Sequence, residues 1–351
     1  MQSSSSSDPS TIGNGRSDGA QPATALTRHR GLGLSDEDIV TMYRQMVLAR
    51  RLSERWSGLA IQGKAAIAIP CDGHEAAQVG TTWALRATDI FFPYYRSTAA
   101  VIARGMTPKE MFLDIFARRD GPSSGGRQMP GHWTSPRLRM PTSGSSVGTK
   151  IPHAVGAALA SKLRREDDVS VVYFGEGASS KGDFHEGLNF AGIHHLPVVF
   201  VCENNRYAIS VPFELQSAVP SVAGRGASYN IPGYPVDGMD ILSVYETMKD
   251  AVDRARGGRG PSLIECRVYR FGFHTSHVGR EDFRTKEEIQ AARVRDPIPR
   301  LKSYLEDVGL WDDARDETLL AAVKRELDTA VDEAEAAPVP SPDTALDHIV
   351  G

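Results

Sequence analysis

The stretch from Val169 to Cys202 limits the possible folds more than any other part of the chain. Val169 to Phe174 is a short apolar run, Gly175-Glu176-Gly177 follows it, a helical pattern runs from about Asp183 to His194, and a second apolar run covers Pro197 to Cys202. Strand, glycine turn, helix and strand make a β-α-β unit, whose crossover leaves the two strands parallel. A parallel sheet has to be covered on both faces, so the reading is an α/β fold with a mainly parallel sheet between helices. Ligands of such sheets collect beyond the carboxyl ends of the strands. Gly175-Glu176-Gly177 and Glu203-Asn204-Asn205 both stand at such ends and can face one crevice.

The rest of the chain fits around that unit. Ser35 reads as an N-cap with Asp38 closing a shortened capping box, and Ile39, Met42, Tyr43, Met46 and Val47 share one face of the helix that follows. Helices are also expected over 74–86, 107–118, 151–165, 241–256, 286–306 and 315–335, with a strand over Leu263 to Tyr269. Residues 120–150 are dense in Gly, Ser, Pro and Arg, and connections of that length are usually functional or mobile. Residues 34–351 are read as one α/β domain with helical additions. Residues 1–33 bury too little apolar surface to offset chain entropy and are expected to be disordered. Arg16, Arg28, Arg30 and the serines point toward an organellar transit peptide and the mitochondrial matrix. Asp8, Asp18 and the lack of amphipathic period favour a flexible bacterial N-terminus, hence a cytoplasmic protein.

Charge and cysteine usage remove several classes of function. Forty Lys and Arg against 44 Asp and Glu leave a net charge of -4, which gives no general attraction to nucleic acid or to an anionic membrane. No apolar run approaches the roughly 18 residues of a membrane span. Cys71, Cys202 and Cys266 are scattered without a CxxC pair, so neither a disulfide framework nor a zinc site is expected. The histidines, including the His194-His195 pair, lack metal-site spacing.

At the crevice, glycines let the backbone approach an anion, and the following helix N-terminus favours negative charge. Glu176 and Asn205 offer hard oxygen ligands, which with a backbone carbonyl and two phosphate oxygens would satisfy Mg2+. Two other readings remain open on these residues. Gly175-x-Gly177-x-x-Ser180 nearly matches the dinucleotide fingerprint, with Glu203 placed as a ribose-binding acid, which describes a Rossmann NAD-binding dehydrogenase. A plain strand-to-helix turn is the simplest alternative, because lone glycine motifs are weak.

Gly175-Glu176-Gly177 followed by Asn204-Asn205 is similar to the thiamine-diphosphate fingerprint, with Glu in place of the usual Asp. Further blocks agree: Phe92-Pro93-Tyr94-Tyr95-Arg96, Gly126-Arg127-Gln128-Met129-Pro130, Gly182-Asp183-Phe184-His185-Glu186-Gly187, Asn205-Arg206-Tyr207-Ala208-Ile209-Ser210, Val236-Asp237-Gly238-Met239-Asp240 and Tyr269-Arg270. In this order they make the chain resemble, over residues 35–345, alpha subunits of thiamine-diphosphate-dependent 2-oxo acid dehydrogenases of the branched-chain type. The resemblance implies the thiamine-diphosphate-binding fold, with Mg2+ held by Glu176, Asn205 and the carbonyl of Tyr207. Gly175, Gly177, Ala178, Tyr94, Tyr95, Arg96 and Ala208 would surround the cofactor. Ser145 and the backbone at Val147 would lie near its aminopyrimidine and the substrate. His274 matches the family's histidine beside the cofactor, and a side chain titrating near neutrality suits proton transfer.

The same resemblance implies oxidative decarboxylation of a 2-oxo acid and acyl transfer to the lipoyl group of a dihydrolipoyl acyltransferase. It also implies a separate beta subunit in an alpha2-beta2 heterotetramer, since the family's activating glutamate belongs to that chain. The Gly126 to Pro130 block, with His132, looks branched-chain, as in branched-chain amino acid catabolism. Pyruvate and acetoin are the other candidate substrates, and Ile67 stands where relatives place an aromatic residue of the acyl pocket. Two departures qualify the match. Ser276-His277-Val278-Gly279-Arg280 replaces a usual pair of aspartates, which bears on loop ordering and lipoyl-domain docking and leaves an inactive cofactor-binding subunit as an alternative. Lys150 stands at a place where relatives often carry a neutral residue at a potassium site, so its ammonium could substitute for the ion.

Overall fold

A computed structural model describes residues 27–276 and 283–347. The chain enters through a helical turn, α1 (Arg28–Gly31), and the long α2 (Asp36–Ile61). Ser35 caps α2 by accepting the Asp38 N–H at 3.1 Å while the Asp38 carboxylate accepts the Ser35 N–H at 2.8 Å. Satisfying those two orphan donors is worth on the order of 1 kcal/mol. Then follow α3 (Glu75–Trp83), β1 (Ile90–Phe92), α4 (Thr98–Arg104), α5 (Pro108–Ile115), α6 (Lys150–Arg164), β2 (Ser170–Gly175), α7 (Gly182–Ile193) and β3 (Val198–Asn204). A small antiparallel hairpin, β4 (Tyr207–Ala208) and β5 (Val211–Pro212), leads to β6 (Gly233–Asp237), α8 (Ile241–Arg256), β7 (Ser262–Arg267), α9 (Lys286–Arg293), α10 (Pro297–Asp307) and α11 (Asp313–Ala336).

The main sheet has the order β1-β2-β3-β7-β6, and every pairing in it is parallel. Side chains alternate across it as a pleat requires. Val171, Tyr173, Val199, Val201 and Ile264 enter the larger core, beneath α2, α3, α4, α5 and α8. Val172, Phe174, Val198, Phe200, Cys202 and Leu263 face the smaller one, under α6 and α7. Both faces are therefore covered, and the strand tips on the carboxyl side remain open to carry the site. No described helix is long and apolar enough to cross a membrane.

Several boundaries differ from the sequence reading. Residues 27–33, read as part of a disordered segment, are held in place by polar contacts that apolar counting does not see. Buried His29 sits 2.7 Å from the Tyr304 hydroxyl and 2.9 Å from the Asp36 carboxylate, and Arg28 donates to Asp240 at 2.9 Å. Residues 1–26 lie outside the described residues. The single helix expected over 286–306 is two, because Pro297 has no N–H to continue a helix and opens α10, capped by Asp296. The three-residue β1 and the exposed β6 were not anticipated; each is too short or too polar to show a strand pattern. Residues 120–150 contain no regular element longer than a turn at Pro136–Leu138.

Candidate active site

The carboxyl ends of β1, β2 and β3, with the segment after β7, surround a cavity of about 600 Å³. β1 feeds Tyr94, Tyr95 and Arg96 into it, β2 feeds Gly175, Glu176, Gly177 and Ala178, and β3 leads to Asn205, Tyr207 and Ala208. The chain beyond β7 adds Arg270 and His274, and the loop before α6 forms the opposite wall with Gly144, Ser146, Val147 and Gly148. All but one of the site residues expected from sequence thus meet at one place. Ser145 does not line the cavity: its hydroxyl lies 2.7 Å from Nε2 of His132, beside the wall.

Glu176 is almost fully buried and has no basic side chain within ion-pair distance among the described residues. One of its oxygens accepts the Asn205 N–H at 3.2 Å, and burial pushes its carboxyl above the ordinary range. Asn205 is oriented by the Tyr207 N–H, which donates to its side-chain oxygen at 3.2 Å. A carboxylate, an amide oxygen and the Tyr207 carbonyl are hard donors suited to Mg2+, whose remaining positions are ordinarily taken by water or phosphate. No thiol or imidazole belongs to the set, and no group of three His, Cys, Asp or Glu elsewhere in the described residues could hold a metal. The residues fit a magnesium ion that arrives with further oxygen ligands.

Gly177 has a reason of its own. A Cβ there would lie 2.9 Å from the Cβ of Ala208, so only glycine lets β4 pack against the turn after β2. The β4–β5 turn contains Ile209 at a φ of 58°, a left-handed conformation that costs a β-branched residue about 1–3 kcal/mol. Arg270 holds that turn by donating from Nη2 to the Ile209 carbonyl at 2.6 Å.

Two buried guanidinium groups face the cavity without a carboxylate partner among the described residues. Arg96 donates to the carbonyls of Pro70 at 2.7 Å and His274 at 3.0 Å. Arg270 keeps a buried Nε with no partner, and burial lowers its pKa to about 10, so it stays charged at neutral pH. Uncompensated cations in a low-dielectric wall attract an anion, and planar arginine suits phosphate oxygens. Between them stands His274, with Nδ1 3.2 Å from Arg96 and 3.4 Å from Arg270. A guanidinium can only donate, so Nδ1 accepts and the ring proton resides on Nε2. Burial and then the two cations push the pKa down to about 3, rather than leaving it near neutrality. His274 is a neutral imidazole here.

Lys150, at the start of α6, is also buried, which lowers its pKa to about 8. Its ammonium donates to the carbonyls of Gly144 and, at 3.0 Å, Ser146, and lies 3.4 Å from the Thr149 hydroxyl. The cation is thereby built into the cavity wall. Ile67 packs against the larger core and does not line this cavity. Of the altered loop, Ser276 pairs with the backbone of Ala68; residues 277–282, with the expectation of lipoyl-domain docking, lie outside the described residues. Arg270 and His132 are the residues that sequence reasoning left without roles. Both belong to quoted blocks, but burial and orientation are not visible in a sequence.

The dinucleotide alternative loses its supports. Glu203 is fully buried, accepting from Tyr94 at 2.8 Å and Gln78 at 2.9 Å, so it cannot meet a ribose. The glycine turn opens a short 3-10 segment, Glu176–Ser180, and α7 starts only at Gly182.

Fold and site together describe an α/β protein whose strand tips offer buried cations and hard oxygen donors to an anionic ligand. Comparison with known proteins narrows this: the family described as "Dehydrogenase E1 component" matches residues 43–343, and the chain belongs to it. Members of that family depend on thiamine diphosphate. The 2-oxoisovalerate dehydrogenase subunit alpha of Bacillus subtilis is 46% identical over 326 residues, covering 93% of this chain and 99% of the relative. The 3-methyl-2-oxobutanoate dehydrogenase subunit alpha of Mycobacterium tuberculosis is 40% identical over 303 residues, covering 86% and 79%. A pyruvate dehydrogenase E1 component subunit alpha of Staphylococcus aureus is 37% identical over 306 residues, again 86% and 79%.

Proposed function

We propose that this chain is the alpha subunit of a branched-chain 2-oxo acid dehydrogenase, decarboxylating substrates such as 2-oxoisovalerate. The acyl group passes to the lipoyl group of a dihydrolipoyl acyltransferase. A single observation carries the reading. Glu176, Asn205 and the Tyr207 carbonyl meet in one cavity with two buried arginines that have no carboxylate partner among the described residues. That arrangement is built for a metal-chelated diphosphate. Substrate class follows from the greater identity to the two branched-chain relatives than to the pyruvate one. The Gln128-Met129-Pro130 block agrees with it.

Thiamine diphosphate supplies the electron sink for decarboxylation. The chain's own residues do the rest. Glu176, Asn205 and Tyr207 would hold the magnesium, and Arg96 and Arg270 would neutralise the diphosphate. His274, neutral with its proton on Nε2, can donate a hydrogen bond to negative charge that develops beside it. Tyr94 and Tyr95, their rings packed against each other, line the cavity beside Arg96. Among the lining residues, the apolar side chains of Val147 and Ile209 are 42% and 45% exposed. A beta subunit seated there in an alpha2-beta2 heterotetramer would cover them and complete the site.

The test is co-expression with a beta subunit, followed by measurement of carbon dioxide release from several 2-oxo acids with magnesium and thiamine diphosphate. Branched-chain acids are expected to be turned over with the highest kcat/KM. Release from none of them would leave an inactive subunit. Tight NADH binding without magnesium-dependent cofactor binding would overturn the site assignment altogether.

A further inference from the structure

Glu288 does not line the cavity, yet it grips two tyrosines that belong to its wall or adjoin it. It is the third residue of α9, half-buried, on a helix with no buried side chain of its own. Thr285-x-x-Glu288 is the pattern of a capping box, and half of that box forms: the Thr285 hydroxyl accepts the Glu288 N–H at 3.1 Å. The Glu288 carboxylate is turned elsewhere. Its Oε1 accepts from the hydroxyls of Tyr207 at 2.9 Å and Tyr269 at 3.0 Å, and Oε2 lies 3.0 Å from the Tyr207 hydroxyl. Burial, and then the carboxylate itself, raise both phenol pKa values, so the two hydroxyls stay protonated and donate at neutral pH. The two rings share a small apolar cluster with Met239, Phe271 and, from α9, Ala292. Tyr207 comes from the β4–β5 hairpin and carries one of the proposed metal-ligand carbonyls. Tyr269 comes from the chain after β7 and precedes Arg270, whose Nη1 lies 3.5 Å from that same carbonyl. Arg284, just before α9, donates to the carbonyls of Arg270 and, at 3.3 Å, Gly272. The start of α9 thus braces the hairpin and the chain after β7 against each other.

We propose that Glu288 is a positioning residue for the metal and diphosphate site: one carboxylate sets the spacing between the Tyr207 carbonyl, on the metal side, and Arg270, on the phosphate side. This rests on the proposed function and assigns to it a residue outside the cavity. The hairpin needs such an anchor, because its two strands have two residues each and a lone two-stranded ribbon is marginally stable. Hydrogen bonds to a carboxylate are stronger than those between neutral groups, which suits Glu288 to the task. Magnesium tolerates little departure from octahedral geometry, so a carbonyl free to drift is a poorer ligand. Glu288 touches neither cavity nor ligand; what it governs is occupancy.

The experiment uses the complete alpha/beta complex carrying Glu288→Ala, Glu288→Gln, Tyr207→Phe or Glu288→Ala with Tyr207→Phe. Calorimetric titration with magnesium and thiamine diphosphate gives the half-saturating concentrations. Steady-state turnover gives kcat at saturation, and thermal melts without cofactor report on the fold. Glu288→Ala should raise half-saturation roughly 3- to 30-fold, within the worth of a hydrogen bond to a charged group, and leave kcat at saturation little changed. Gln keeps an acceptor oxygen that both hydroxyls can share, without the charge, and should fall between alanine and the wild type. Tyr207→Phe keeps the carbonyl and loses only the hydroxyl, and it should raise half-saturation too. The double variant should be no worse than Glu288→Ala, because one contact cannot be lost twice. If Glu288 merely docked α9, the cofactor-free complex would melt earlier while half-saturation stayed at the wild-type value. That result, or losses that multiply in the double variant, overturns the proposal. If Glu288→Ala does not fold, Tyr207→Phe decides: raised half-saturation supports the assignment and wild-type half-saturation refutes it. A wild type that binds no cofactor with magnesium sinks the proposed function and this inference with it. Normal wild-type binding with unchanged binding by Glu288→Ala sinks this inference alone.

Discussion

Replacing Gly177 by alanine tests the link between the glycine turn and the β4 hairpin with a single methyl group. The new Cβ would lie 2.9 Å from the Cβ of Ala208, whereas two carbons in contact prefer about 3.5–4.0 Å. Both atoms are fixed to backbone, so no rotamer change relieves the clash, and the turn and the hairpin must separate by roughly 0.6–1 Å. Overpacking of this kind costs about 1–3 kcal/mol. Glu176 adjoins one side of the contact and Tyr207 the other, so the opening pulls apart two of the three proposed metal ligands. If the penalty falls on the bound state, affinity for thiamine diphosphate with magnesium drops roughly 5- to 100-fold. Calorimetric titration of the alpha/beta complex measures it directly. Gly156→Ala is the control, since a Cβ at Gly156, on the exposed side of α6 and outside the cavity, meets nothing within 4 Å, and the variant should bind as wild type. Ala208→Gly combined with Gly177→Ala removes the colliding atom and should restore most of the affinity. Wild-type binding by Gly177→Ala, or a double variant no better than the single one, would refute the reasoning.

Other perturbations follow from the same geometry. Lys150→Ala should weaken cofactor binding, and ammonium or potassium ions, which can occupy a nest of carbonyl oxygens, should restore it while leaving the wild type unaffected; a wild type that needs potassium contradicts this. Arg270→Met should lower cofactor affinity roughly 10- to 100-fold by removing a buried cation from the diphosphate wall, and equal affinity in a titration would remove Arg270 from the site. His274 carries a pH signature: its folded pKa of about 3 lies below the unfolded value, so below about pH 6.5 the unfolded chain binds a proton that the folded chain refuses. Stability should therefore fall on acidification, by about 1 kcal/mol near pH ~5.5 from this residue, and His274→Gln should lose less stability than wild type in thermal melts compared between about pH 7 and about pH 5.5.

The β-α-β unit was legible because its signals agree with one another: Val169 to Phe174 and Pro197 to Cys202 are continuous apolar runs, as strands covered on both faces are, and the glycines fall at the strand end. Family blocks then carried nearly every cavity residue, since the tips of parallel strands must converge wherever the sheet order brings them together. Ranges failed where a local rule was overridden. Pro297 was passed over inside a charged helical pattern, and His29 is anchored by Tyr304, a partner 275 positions away. Polarity failed more deeply. Arg270 and Glu203 are both charged residues at strand ends, yet one faces the cavity without a carboxylate partner among the described residues and the other is buried against Tyr94 and Gln78. Nothing in the order of residues distinguishes those fates; the direction of each side chain from its strand does.

That distinction also explains why one glycine turn can serve two kinds of cofactor. A dinucleotide site draws its positive potential from the helix that follows the glycines directly and keeps acids away from the pyrophosphate. Here the turn places a buried carboxylate, Glu176, at the spot where a bare anion would approach, and the helix starts six residues later, at Gly182. The positive charge comes instead from other strand tips, Arg96 after β1 and Arg270 after β7. An anion alone would meet Glu176 as a like charge, and a cation alone would meet the two arginines. A diphosphate that carries its own divalent ion offers each wall the opposite sign, metal toward Glu176 and phosphate oxygens toward the guanidinium groups. On the proposed function, these walls would favour the chelate over either component. Reversing one wall without the other, as Glu176→Lys would do, should abolish magnesium-dependent binding while leaving the cavity able to take up inorganic diphosphate without metal.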